Sequence, residues 1–256
     1  MTRIIAVMSA KGGVGKTTTT SNLGAALAER GKSIIVIDGN VTTPNLSIHL
    51  GIPLAPITLH DALKGNAHIR HAIYKHKSGL QVIPASLSVG ALKGINMNKL
   101  AGALLNLLGS AEIILIDGAA GLGREATALM EVADEMIIVT NPDLPSLTDA
   151  LKALKVANEI GTKVIGVVVN RVKGLDHEMT IADIREMLGI PVIAIVPEDK
   201  AVPRAIAEKE PVVNYSPRCK ASREFKRLAA SIAGEAWSEP IKSKSWFDRM
   251  LDYLAG

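Results

Sequence analysis

Seven short runs rich in isoleucine and valine recur along the chain, separated by segments of helical period, and this alternation leaves few folds open. The runs cover residues 3–8, 33–38, 80–84, 112–117, 135–140, 163–170 and 192–196. Helical segments are expected over 16–30, 146–160, 180–188 and 220–233, the first three closed by Gly31, Gly161 and Gly189. Strands that alternate with helices predict an α/β fold: a doubly wound, mostly parallel sheet with helices on both faces. Composition agrees. Hydrophobic residues make up 48% of 256, but only seven are aromatic, so the core must be built from Ala, Val, Ile and Leu, which suits strands buried on both sides.

The single cysteine, Cys219, excludes an internal disulfide framework and any site needing several thiolates from one chain. No run of about 18 apolar residues occurs, and residues 4–10 are too short for a signal-peptide core, so a cytoplasmic protein is expected. The formal charge is +4, with eight basic residues against three acidic ones between Lys200 and Arg227. That stretch reads first as a solvated basic helix face.

Several predicted strands end in a polar residue: Asp38, Asp117, Thr140 and Asn170. In an open parallel sheet, ligands bind beyond the carboxyl ends of the strands. The first strand leads into Ala10-Lys11-Gly12-Gly13-Val14-Gly15-Lys16-Thr17, which in turn opens a helix. This is the context a phosphate-binding loop requires, and it predicts a P-loop NTPase. Glycines let the backbone of residues 12–15 turn its N–H groups inward as an anion nest, and the helix N-terminus adds partial positive charge. Lys16 would neutralise the β and γ phosphates, Thr17 would ligate Mg²⁺, and Thr18 would meet the α-phosphate. Asp117, after Ile113-Ile114-Leu115-Ile116, has the hydrophobic-strand-then-aspartate pattern that holds a magnesium-bound water.

The loop departs from the usual pattern, with Ala10 at the first glycine and a second lysine, Lys11, near its start. In this the chain resembles the MinD/ParA family of deviant Walker A ATPases, most closely its MinD branch. The resemblance runs through the Asp38 strand, the Asp117 region, Thr140-Asn141-Pro142, Asn170-Arg171 and Pro197-Glu198-Asp199, in family order over residues 1–235. It implies ATP and Mg²⁺ as cofactors and an ATP-bound homodimer in which Lys11 reaches the partner's phosphates. It places Asp38 beside the metal, Asn170 and residues 197–199 around adenine, and Gly121 near the γ-phosphate. Asp149 would hold Lys11 in the ADP state. The family's second aspartate is here Asn40, which can accept a hydrogen bond from water but not a proton, so slow hydrolysis is expected.

After a polar linker over 236–245 comes a segment, 246–256, in which Trp246, Phe247, Met250, Leu251 and Leu254 fall within an arc of about 140°. Asp248, Arg249 and Asp252 take the opposite side. An eleven-residue helix of this kind is marginal alone in water and orders on an apolar surface. The resemblance implies a membrane, giving a protein peripherally attached in its ATP state that positions a regulatory or cargo protein in cell division or another spatial task. Near-neutral charge, with Lys242, Lys244 and Arg249 offset by Asp248, Asp252 and the terminal carboxylate, leaves packing on its own domain or a partner open. A ParA-like alternative binds DNA through Arg218, Lys220, Arg223, Lys226 and Arg227, and would lose affinity steeply with salt. One cysteine argues against cluster-carrying relatives.

Overall fold

The computed structural model describes residues 2–52 and 54–237. Eight strands form one sheet: β1 (Arg3–Ser9), β2 (Ile34–Asp38), β3 (Tyr74–Lys75), β4 (Gln81–Ile83), β5 (Ile113–Ala120), β6 (Glu135–Thr140), β7 (Lys163–Val172) and β8 (Val192–Pro197). Their order is β3-β4-β2-β5-β1-β6-β7-β8, parallel except for β3 against β4. The helices among the described residues are α1 (Lys16–Glu29), α2 (Leu46–His49), α3 (Leu59–Lys64), α4 (Leu100–Leu105), α5 (Arg124–Val132), α6 (Leu144–Ile160), α7 (Ile181–Leu188), α8 (Ala201–Ala207), α9 (Val212–Tyr215) and α10 (Lys220–Ala233).

Side chains alternate across a strand, so β1 divides its residues between two cores. Ile4, Ala6 and Met8 pack with Leu63, Leu104, Leu129, Leu147 and Ile184 from α3 to α7. Ile5 and Val7 pack with Leu23 of α1 and Phe225 and Leu228 of α10 on the other face. Phe225 is fully buried; aliphatic residues make up nearly all the rest of both cores. This is the doubly wound sheet that the aliphatic runs and scarce aromatics predict.

Three features were not foreseen. β3 is a two-residue strand, too short to show a period. β5 continues past Asp117 to Ala120 because Gly118 lets it pass close to β1: a Cβ there would lie 2.0 Å from the Met8 sulfur and 2.8 Å from the Val7 carbonyl. The ladder between β1 and β5 becomes irregular at the same point. α6 starts two residues earlier than expected, because Asp143 accepts from the Ser146 N–H at 2.8 Å and caps it, with Pro145 in its first turn. Trp246, Phe247, Met250, Leu251 and Leu254, with linker residues 238–245, lie outside the described residues.

Candidate nucleotide site

β1 lies between β5 and β6, and the chain leaves it at the switch point of the sheet through residues 10–15. Gly13 and Gly15 adopt left-handed backbone, φ +78° and +102°. Gly15 is the residue before α1, whose first-turn N–H groups have no intrahelical partner and face the loop. At Gly15 a Cβ would fall 2.1 Å from the Asn170 amide nitrogen, so the loop passes where only glycine fits. Asn170 itself donates to the Val14 carbonyl at 2.7 Å, tying the end of β7 to the loop.

Lys16 is buried, and its ammonium donates to Ser9 Oγ at 3.1 Å. Burial lowers its pKa, against the pull of Asp117. Asp117 takes Thr17 Oγ1 at 2.6 Å on one oxygen and Thr20 Oγ1 at 3.2 Å on the other. Burial pushes the Asp117 carboxyl up to about 6, although Thr17, Lys16 and Thr20 oppose the rise. Asp38 is its register partner on β2 and accepts the Leu46 N–H at 3.0 Å. Its pKa is raised well above the usual carboxylate range by burial and by the neighbouring Asp117 charge.

These groups suit a phosphate chain and a hard divalent cation. Mg²⁺ is commonly held by one or two carboxylates with a hydroxyl, water and phosphate oxygens, and Thr17, Asp38 and Asp117 supply that donor set. Two buried carboxylates side by side, with pKa values raised by burial, gain from a cation between or beside them. Space for a base lies close by. A cavity of about 400 Å³ beyond β7 and β8 is lined by the predicted adenine residues Asn170, Pro197, Glu198 and Asp199, together with Thr18, Val202 and others. Asp199 also clips this wall, accepting from the Ala201 and Ala221 N–H groups.

Lys11 stands over the loop and pairs with the start of α6, at 3.1 Å from Ser146 Oγ and 3.7 Å from Asp143. Asp149, expected to hold Lys11 in the ADP state, here pairs with Lys152 at 3.0 Å. Asn40 does not present a free amide. Its nitrogen donates to the Thr43 carbonyl at 2.7 Å, and its oxygen accepts from the Thr43 N–H and Oγ1, both at 3.1 Å, so it closes a turn. Gly121 is left-handed and directs its N–H to the Ser9 carbonyl at 3.3 Å. Of the five basic residues on and just before α10, Lys226 pairs with Glu29 and Arg227 with Glu224, which leaves Arg218, Lys220 and Arg223 as the outward set.

Residues missed in the sequence gather around the loop after β2. Glu125 of α5 accepts the Val41 and Thr42 N–H groups and Thr42 Oγ1. His60 Nε2 contacts the Val41 carbonyl at 3.1 Å while Nδ1 accepts the Ser86 N–H at 3.0 Å, which assigns its proton to Nε2. Val41 is thus held at both its peptide groups. No local signal marks residues 19 and 84 positions away as partners; Thr20, one turn after Lys16, and Ser146, three after Asp143, were legible in principle.

A glycine loop at the switch point, with a buried lysine and strand-end carboxylates behind it, makes this a P-loop nucleotide-binding protein. Residues 5–212 match the CobQ/CobB/MinD/ParA nucleotide binding domain. An uncharacterized ATP-binding protein of Methanocaldococcus jannaschii is 38% identical over 98% of this chain and 96% of its own. The septum site-determining protein MinD of Thermotoga maritima is 32% identical over 100% and 98%. The structure of Pyrococcus horikoshii MinD complexed with Mg-ADP superposes with a TM-score of 0.87 at 35% identity, covering 91% of this chain and 96% of that one. The chain belongs to the MinD/ParA family of P-loop ATPases, on its MinD side.

Proposed function

We propose that this chain is a Mg²⁺-dependent ATP hydrolase working as a dimerisation switch. The observation that carries the reading is Lys11: a second loop lysine, only half-buried, resting on Asp143 and Ser146 beside the phosphate nest. An ammonium so placed can leave a weak exposed pair for a phosphate chain presented by a second copy. Lys16 would neutralise the β and γ phosphates, and Thr17, Asp38 and Asp117 would hold Mg²⁺. When bound, that ion would offset charge developing on the phosphates. Asn170 and residues 197–199 would enclose adenine, with Thr18 at the α-phosphate and Gly12 to Gly15 and Gly121 around the phosphates. Asn40 has no carboxylate and is spent on Thr43, so the attacking water is poorly positioned and turnover is slow.

The body, residues 1–235, would be followed by a linker and by a docking helix over 246–256. Burying its five apolar side chains offers at most roughly 7–15 kcal/mol, much of it consumed by folding and shallow insertion. One copy binds a membrane weakly, and an ATP dimer with two copies gains roughly 10² to 10⁴ in avidity. The protein would thus cycle between cytoplasm and membrane and carry a partner in division-site or similar positioning. The family likeness to septum site-determining MinD supports this. DNA binding is the weaker reading, since two of its five candidate cations, Lys226 and Arg227, are paired.

Size-exclusion chromatography with light scattering, in ATP, ADP and no nucleotide, with and without vesicles of anionic phospholipid, tests the proposal. A dimer in ATP alone, retained on vesicles only in that state, is expected. A monomer in every nucleotide state, or vesicle binding indifferent to nucleotide, would sink it.

A further inference from the structure

At the amino end of the sheet, opposite the phosphate loop, a cavity of about 760 Å³ opens between the start of β1, α4 and the end of α5. Ile4 and Leu104 form a buried apolar wall, and Leu105 and Leu108 stand exposed at its edge, 66% and 44% accessible. Glu112, Glu131 and Asp134 make the same edge acidic. None of the nucleotide-site residues lines it.

The described chain arrives beside this cavity. Arg3 donates to the Ile232 carbonyl in the last turn of α10 at 2.8 Å, and its neighbours Thr2 and Ile4 line the cavity. Glu235 pairs with Arg30 at 2.8 Å and Lys32 at 3.0 Å, next to Ser33, another lining residue. Residues 236–245 can span up to about 33–36 Å when extended, enough to round the sheet end. The segment that follows carries Trp246, Phe247, Met250, Leu251 and Leu254 on one side; its own Arg249 is offset by Asp248 and Asp252, and Lys242 and Lys244 of the tether are the cations available to the acidic edge. A volume of this order is what sites for large apolar ligands have, and it accommodates several such side chains.

We infer that this cavity is a dock for residues 246–256 of the same chain, and that it competes with the membrane for the segment's apolar face. The inference rests on the amphipathic reading of that segment and adds a resting place to the proposed membrane role. One face cannot be buried in both sites. Membrane affinity is therefore reduced by the fraction of chains in which the dock is filled.

The full chain carrying Trp237→Phe makes Trp246 the single tryptophan. Without vesicles, its emission is expected to be blue-shifted, protected from acrylamide and independent of protein concentration. Leu105→Glu, an exposed substitution, should shift it red and raise vesicle binding in ATP about 3- to 10-fold. Glu131→Lys should do the same more weakly, with nucleotide binding unchanged in both. Solvent-like Trp246 emission in the parent, burial unmoved by both variants, or burial that disappears on dilution, as for a second copy's segment, would overturn the dock. Vesicle binding with an exposed Trp246 leaves the membrane reading standing and removes the dock. A docked Trp246 whose release gives no vesicle binding does the reverse.

Discussion

Asp38, at the end of β2, and Asp117, within β5, face each other in register on adjacent parallel strands, both buried, and share the floor of the loop with the Lys16 ammonium. Two carboxylates with folded pKa values above their unfolded ones bind more protons folded than unfolded. Stability without metal therefore falls as pH rises from 3.8 through about 6. Asp117→Asn should raise the melting temperature of the metal-free chain at pH 7.5, by the equivalent of about 2–3 kcal/mol at most. It should abolish the further rise that Mg²⁺ with ADP gives the parent. Thermal melts with and without Mg²⁺ measure both, and a variant less stable than the parent in both conditions would contradict the charge argument.

Lys11 and Lys16 should separate cleanly. Lys16→Met removes the buried ammonium and should cut ATP affinity 100-fold or more, by roughly 3 kcal/mol. Lys11→Ala loses only a weak exposed pair with Asp143 and should keep monomer stability within about 0.5 kcal/mol. It should bind ADP as the parent does yet stay monomeric in ATP. Calorimetric titration and light scattering distinguish the two; a Lys11→Ala dimer in ATP refutes its assignment.

Asn170→Ala should act on the loop before it acts on the base. It leaves the buried Val14 carbonyl without its donor, a cost of about 1–3 kcal/mol. Nucleotide affinity should fall for ATP and GTP alike. A variant that keeps ATP affinity but relaxes base selection would instead make Asn170 primarily an adenine reader.

Asn40→Asp tests the slow-turnover reading. The carboxylate can still accept from the Thr43 N–H and Oγ1, but it repels the Thr43 carbonyl that the amide now holds. The turn should loosen and free a group able to polarise water. Single-turnover hydrolysis is expected to rise about 10-fold or more. An unchanged rate means that position 40 does not set the pace.

His60 gives the loop after β2 a pH dependence. Burial lowers its pKa, with the Val41 carbonyl bond acting against that. A depressed folded value means stability is fully present above the unfolded 6.5 and is lost as pH falls. Protonation would set a second N–H against the Ser86 N–H. Amide exchange over residues 40–46 should quicken between pH 7.5 and 5.5 in the parent and far less in His60→Gln. Equal pH dependence in both would remove His60 as the cause.

The sheet, the loop and the strand-end aspartates were legible because each is local: periodicity marks a buried strand, and a glycine loop announces its own backbone. Helix ends set by side-chain caps, as at Asp143, were read two residues late. Extension of β5 depended on Gly118 meeting Met8, a contact between strands 110 residues apart in the chain. Loop residue roles shifted for the same reason. Asn40 and Asn170 carry amides able to meet a ligand, and only their neighbours in space decide whether those amides are already spent.

Residue order by itself determined that this chain builds an aliphatic parallel sheet and sets a lysine, a threonine and two aspartates around a phosphate loop. Period, glycine spacing and strand-end polarity are properties of neighbouring residues and survive without the fold. Tertiary structure alone decided that Lys11 rests on Asp143 rather than Asp149, that Glu125 and His60 grip Val41, and that α10 ends beside an apolar cavity. Those outcomes depend on which distant groups share a few ångströms of dry space, where an unpaired hydrogen-bonding group or charge costs most.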